Sequence, residues 1–162
     1  MLSEHFTIRK AVEKDAGLIL HFIRAIAQYE KMLDQVTATE ELLREFMFRR
    51  GAAFAFIGEY RGQPVGFALC YENFSTFKGR TGMYLEDLFV DENMRGKGFG
   101  KALFQAVAAE AVRRGCERME WTCLNWNEPS IRFYRSMGAV SMDEWTTYRL
   151  SGKAIAQAAN LE

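Results

Sequence analysis

The stretch RGKGFGKAL, Arg95 to Leu103, sets Gly96, Gly98 and Gly100 at alternate positions among Arg95, Lys97 and Lys101. Glycines let a backbone approach a ligand without a Cβ in the way. A loop entering a helix adds free N–H groups and the positive end of the helix dipole. That is phosphate-binding chemistry, and the spacing decides which phosphate. A P-loop needs GxxxxGK followed by Ser or Thr. Here Arg95 stands where its first glycine belongs and Ala102 follows Lys101, so no hydroxyl is placed to hold magnesium. The dinucleotide fingerprint GxGxxG fails too, because Lys101 or Leu103 falls at its third glycine. What remains is R-x-x-G-x-G, built from Arg95, Gly98 and Gly100.

Other chemistries find little support. Cys70, Cys116 and Cys123 are an odd set without CxxC spacing, and they read as reduced thiols. His5 and His21 lie far apart, and no His/Cys/carboxylate cluster has zinc-ligand spacing, so no metal is expected. A Ser-His or Cys-His nucleophile system is equally unsupported. The net charge is zero, from 21 basic and 21 acidic residues, which argues against a general nucleic-acid binder. No stretch approaches the length of a membrane span, and the N-terminus lacks the apolar run of a signal peptide, so a cytoplasmic protein is expected.

The elements that must carry this loop follow from periodicity. FTIRKA (Phe6 to Ala11) reads as a first strand. Leu18, Phe22, Ile23 and Ile26 recur at helical spacing, predicting a helix from about Glu13 to Lys31. Thr37 and Glu40 fit a capping box for a second helix, to about Arg49. Ala53 to Tyr60 and Pro64 to Phe74 read as a hairpin about RGQ, and Gly82 to Val90 as a further strand. The glycine loop then leads into a helix from about Gly98 to Arg114. A strand is expected over Glu117 to Asn125. A short helix opens at Asn127 with Pro129 in its first turn and closes at Gly138; a last strand runs over Ala139 to Leu150. The order β-α-α-β-β-β-α-β-α-β predicts a mixed α+β fold: a mostly antiparallel central sheet with one right-handed parallel crossover and flanking helices.

Loop and element order together resemble the GNAT N-acetyltransferases, whose acyl-CoA pyrophosphate loop has this glycine pattern. YLEDLFV (Tyr84 to Val90), WNEPSIRFY (Trp126 to Tyr134) and AQYEKM (Ala27 to Met32) are similar to segments of the diamine (spermidine/spermine) N-acetyltransferases. The resemblance implies one N-acetyltransferase domain over residues 1–162, with a core of about 6–150 and a short tail from 151 to 162. It implies acetyl-CoA as cosubstrate and a homodimer. Leu88, Phe89 and Val90 would present backbone groups to the pantetheine arm and acetyl carbonyl. Arg95, Gly96, Lys97, Gly98, Phe99, Gly100 and Lys101 would form the pyrophosphate loop. Asn127, Glu128, Pro129 and Ser130 would meet the cofactor from the other side, and Tyr134 would give a proton to the departing thiolate. Tyr29, Glu30, Glu86 and Asp87 would line the amine site, with Glu120, Trp121 and Thr122 nearby and Glu144 as a further acid. FKGRT before YLED is more like relatives that act on thialysine or other amino-acid amines. The leading expectation is a polyamine or diamine acceptor, and the alternative is thialysine, another amino-acid amine or a protein amine. A non-catalytic acyl-CoA-binding module is the remaining class.

Direct transfer suits these residues. A phenol titrates near pH 10, so Tyr134 is protonated at neutral pH and able to donate. Carboxylates attract an ammonium ion but also favour its charged form, whereas attack needs the neutral amine. One of them must therefore take the proton, through water. Glu86 is the first candidate for this base or amine anchor. Adjacent strand residues point to opposite faces, so Glu86 and Asp87 share a task only if a bulge intervenes.

Overall fold

In the computed structural model, which describes residues 2–161, the chain forms two compact units, Met1–Thr122 and Cys123–Glu162. The first holds a five-stranded sheet in the order β1 (Phe6–Lys10), β2 (Phe54–Tyr60), β3 (Gln63–Ser75), β4 (Arg80–Val90), β5 (Met119–Glu120). The first three pairings are antiparallel and β4–β5 is parallel. The β2–β3 hairpin turns through Arg61 and Gly62, both at positive φ, as a tight two-residue hairpin turn requires.

The helices of this unit cover the two sheet faces. On one, α1 (Ala16–Tyr29) buries Ile19 and Phe22 among Ile57, Phe67, Leu69 and Phe89, with the Phe22 and Phe67 rings stacked 5.2 Å apart. On the other lies α3 (Phe99–Arg113), which buries Phe99, Leu103 and Val107. The Phe99 ring stacks on Phe6 at 4.1 Å and lies 5.3 Å from Tyr60. Burying one such side chain stabilises by about 1.5–3 kcal/mol, and here it also fixes where α3 begins. Asp15, just before α1, takes a two-pronged ion pair from Arg9 (2.8 and 2.9 Å), which holds its carboxyl below the usual range.

Several sequence expectations shift. The cap of α2 (Glu40–Leu43) is Thr39 rather than Thr37. Thr39 is extended just ahead of the first helical residue, and its Oγ1 accepts from the Leu42 N–H at 3.2 Å. Beyond Leu43 the expected helix widens into a π turn over Arg44–Arg49. The strand expected over Glu117 to Asn125 pairs only at Met119–Glu120. The ladder ends at Tyr84–Glu120, just before a bulge in β4 that is described below. In the second unit α4 (Glu128–Ser136) carries Pro129 in its first turn, Gly138 follows it at φ +90°, and α5 (Lys153–Ala158) lies in the tail. The strand expected over Ala139 to Leu150 does not form. A strand needs a neighbour, and this unit offers none; Val140, Met142, Trp145, Tyr148 and Leu150 stay exposed. Among the described residues, no helix is long and apolar enough to cross a membrane.

Candidate active site

The loop keeps its donors free. Gly98 lies at φ +84°, a conformation that side chains other than glycine's rarely adopt, and it immediately precedes α3. The first helical bond is Ala102 N–H to the Gly98 carbonyl at 3.0 Å. Among the described residues, the six backbone N–H groups from Gly96 to Lys101 have no protein acceptor. Lys97 and Lys101 are exposed beside them. An array of amides at a helix start with two ammonium groups is complementary to a phosphate diester or pyrophosphate. The Phe99 side chain belongs to the core, so only its N–H can serve a ligand.

The carboxylates are arranged by one extra residue. Leu69 pairs with Asp87 and Cys70 with Leu85, leaving Glu86 as a bulge in β4. Without it, Glu86 and Asp87 would point to opposite faces. With it, Asp87 joins Phe89 on the α1 face, and Glu86 stays close enough to affect Asp87, Tyr71 and Glu30 electrostatically. Burial, reinforced by the charges of Glu86 and Glu30, pushes the Asp87 carboxyl up to about 7. Burial and then Glu86 raise Glu30, which lies just past the end of α1. A carboxyl titrating near neutrality can hold a proton or accept one under ordinary conditions. Tyr71, which the sequence reading did not single out, stacks on Tyr84 across the strands at 5.1 Å, and burial followed by Glu86 raises its hydroxyl. Strand alternation alone could have placed it on the face of Leu69 and Phe67; the bulge that brings Glu86 to it leaves no mark in the pattern.

The same bulge sets the open edge. The Asp91 N–H donates to the Val65 carbonyl at 2.8 Å, so alternation turns the peptide groups of Leu88 and Val90 the other way. The β4–β5 ladder ends at Tyr84–Glu120, so these groups face an unpaired edge. Close packing holds the geometry at Gly66, where a Cβ would come within 2.6 Å of the Phe89 carbonyl oxygen. Arg95 donates from Nε to the Val90 carbonyl at 2.9 Å, and its guanidinium lies over Tyr29 (4.9 Å) and Phe89 (5.4 Å).

The remaining sequence-predicted residues divide between the units. In the first, Glu120 is ion-paired with Arg118 at 2.9 Å, Trp121 meets Phe104 edge-on at 5.3 Å, and Thr122 is exposed. In the second, Asn127 precedes α4 and is buried, while Glu128 and Pro129 are exposed. Asn127, Ser130 and Tyr134 recur at the three- and four-residue spacings that share one helical face. The Tyr134 ring is half-buried and lies 5.4 Å from Phe133. Glu144 stands exposed in the unpaired segment after α4. Among the described residues no group of three or more His, Cys, Asp or Glu could hold a metal ion.

Residues 20–139 match the acetyltransferase (GNAT) family model. Thialysine N-epsilon-acetyltransferase of Bos taurus is 37% identical over 164 residues, covering 94% of this chain and 96% of that protein. Spermidine/spermine N(1)-acetyltransferase-like protein 1 of Homo sapiens is 30% identical over 159 residues, covering 91% of this chain but 23% of that protein. An integron cassette protein from the V. cholerae mobile metagenome has a similar structure, with TM-score 0.79 and 27% identity over 97% of this chain and 99% of that one. Sequence likeness therefore favours the amino-acid-amine alternative over the polyamine or diamine reading that led the sequence analysis.

Proposed function

This chain belongs to the GNAT acetyltransferase family, an N-acetyltransferase that acylates an amine, and we propose that its acceptor is the side-chain amine of thialysine or a lysine-like amino acid. The observation that carries the reading is the bulge at Glu86, which sets two adjacent carboxyls beside Glu30 and leaves Asp87 titrating at about 7. An ammonium ion is drawn to these acids and must lose one proton before it can attack. Asp87 takes that proton, directly or through water, while Glu86 and Glu30 hold the cationic form.

The family uses acetyl-CoA, which supplies an activated acetyl thioester. The free amides of Gly96 to Lys101 fit its pyrophosphate, with Lys97 and Lys101 adding charge. The Leu88 peptide group and the Val90 N–H on the open edge of β4 hold the chain leading to the thioester, the Val90 carbonyl being taken by Arg95. The Leu88 N–H is a fixed donor for a carbonyl oxygen as it gains negative charge. Asn127 to Ser130 contact the cofactor, and Tyr134, on the same helical face, gives its phenolic proton to the leaving thiolate. These roles for Asn127 to Ser130 and Tyr134 rest on the WNEPSIRFY resemblance.

A thiol-release assay tests the reading. Purified protein with acetyl-CoA should liberate free thiol faster with thialysine, lysine or ornithine than with spermidine or putrescine. A clear preference for the polyamines would refute the acceptor assignment, and no release with any amine would refute the activity.

A further inference from the structure

We propose that Arg95 and Glu92 form the head-group site for a free α-amino acid, Arg95 taking its carboxylate and Glu92 its α-ammonium, while its side chain carries the reacting amine toward Asp87. The inference rests on the acceptor class proposed above and adds the residues that select it.

Arg95 begins the glycine loop, but its side chain turns to other partners. The Nε–H is committed to the Val90 carbonyl, and the guanidinium plane lies over the Tyr29 and Phe89 rings. These contacts fix the fork while leaving both Nη groups without a protein acceptor among the described residues. A guanidinium held by its Nε offers those Nη donors in the geometry that a carboxylate accepts.

The setting is a cleft of roughly 340 Å³ whose lining includes Gln28, Tyr29, Phe89, Glu92 and Arg95. It holds one cation and one acid that form no ion pair with each other, and Glu92 forms none with any described residue. An amino acid's head group carries the complementary pair of charges. The acids that would meet the distant amine lie on the same sheet face. Asp87 and Phe89 are two residues apart on β4 past the bulge, about 7 Å along the strand. Tyr29 and Glu30 adjoin at the end of α1, so the anion-binding and cation-binding ends are linked by neighbours on both elements. A lysine-length side chain matches that scale. A polyamine can offer its second ammonium to Glu92 but has no carboxylate for Arg95, so the guanidinium is left without its partner and selectivity falls to the amino acid.

The experiment compares free lysine with 1,5-diaminopentane, which is lysine without its carboxylate. In the wild-type enzyme kcat/KM should favour lysine by about 10- to 100-fold, the range for a charge-assisted bidentate pair. Arg95→Ala should collapse that ratio, mainly through KM for lysine. Arg95→Lys, which keeps the charge and loses the fork, should restore only part of it. Because Arg95 also holds the Val90 carbonyl, titration calorimetry on Arg95→Ala measures the cofactor share separately, and the acetyl-CoA Kd should change by less than KM for lysine does. Equal losses for both acceptors, or an unchanged ratio with weakened acetyl-CoA binding, would assign Arg95 to the phosphate loop and overturn the proposal. A wild-type enzyme that acetylates no amino acid would instead overturn the acceptor class on which it rests.

Discussion

Replacing Asp87 by Asn should make the protein more stable and less active, and the stability gain should depend on pH. The Asp87 carboxyl is raised from 3.8 to about 7, chiefly by burial and then by Glu86 and Glu30. The folded chain therefore holds this proton more tightly than the unfolded chain does. Ionisation in the folded state costs nothing below about pH 4, costs progressively more as pH rises, and reaches its full value above about 7. One pKa unit is about 1.4 kcal/mol, so the full cost is on the order of 4 kcal/mol and, allowing for partial solvent contact, about 2–4 kcal/mol. Asn has nearly the same shape and no charge to bury. At pH 8 Asp87→Asn should unfold about 5–15 °C above wild type. The gap should shrink as pH falls and vanish near pH 4. The kcat should drop about 10²- to 10⁴-fold with loss of the base. In the wild type, kcat/KM should rise with pH through about 7, and Glu86→Gln should move that limb to lower pH by removing a like charge. Calorimetric melts at pH 4, 6 and 8 beside a pH–rate profile test this. A variant no more stable than wild type at pH 8, or equally stabilised at all three values, would refute the account of Asp87.

Two further substitutions address the cofactor side. Gly98→Asp puts a side chain at φ +84° and a negative charge beside the free amides, and should weaken acetyl-CoA binding at least tenfold; an unaltered Kd by calorimetry would remove the loop from phosphate binding. Tyr134→Phe should lower kcat about 10²- to 10⁴-fold with little change in acetyl-CoA affinity, and an unchanged kcat would remove Tyr134 as the proton donor.

The acceptor is where sequence motif and overall likeness diverge. WNEPSIRFY resembles the diamine enzymes, whereas likeness over nearly the full chain runs with a thialysine acetyltransferase. The former motif lies in a stretch that the resemblance assigns to the cofactor and the leaving thiolate. Those tasks are common to enzymes with different acceptors. A few side chains on the α1 face of the sheet would suffice to separate a diamine from an amino acid.

Local signals in the sequence determined the elements and the loop. The Leu18–Ile26 spacing marks α1, RGQ marks the hairpin, and the failed P-loop and dinucleotide spacings leave R-x-x-G-x-G. These are effects of neighbouring residues on one another, so a one-dimensional pattern carries them. Only the tertiary structure decided that Glu86 is a bulge, because a bulge is defined by the partner strand: Leu69 and Cys70 pair across it. That one unpaired residue puts two acids beside Glu30, and the ladder to β5 ends just before it, at Tyr84–Glu120. It also turns Leu88 and Val90 to an open edge. The unformed strand after Ala139 teaches the same lesson from the other side, since alternation shows that a segment can pair and never what it pairs with. Arg95 reads from sequence as one more cation of a phosphate loop. Its bond to Val90 and its place over Tyr29 depend on residues up to 66 positions away, which no local pattern encodes.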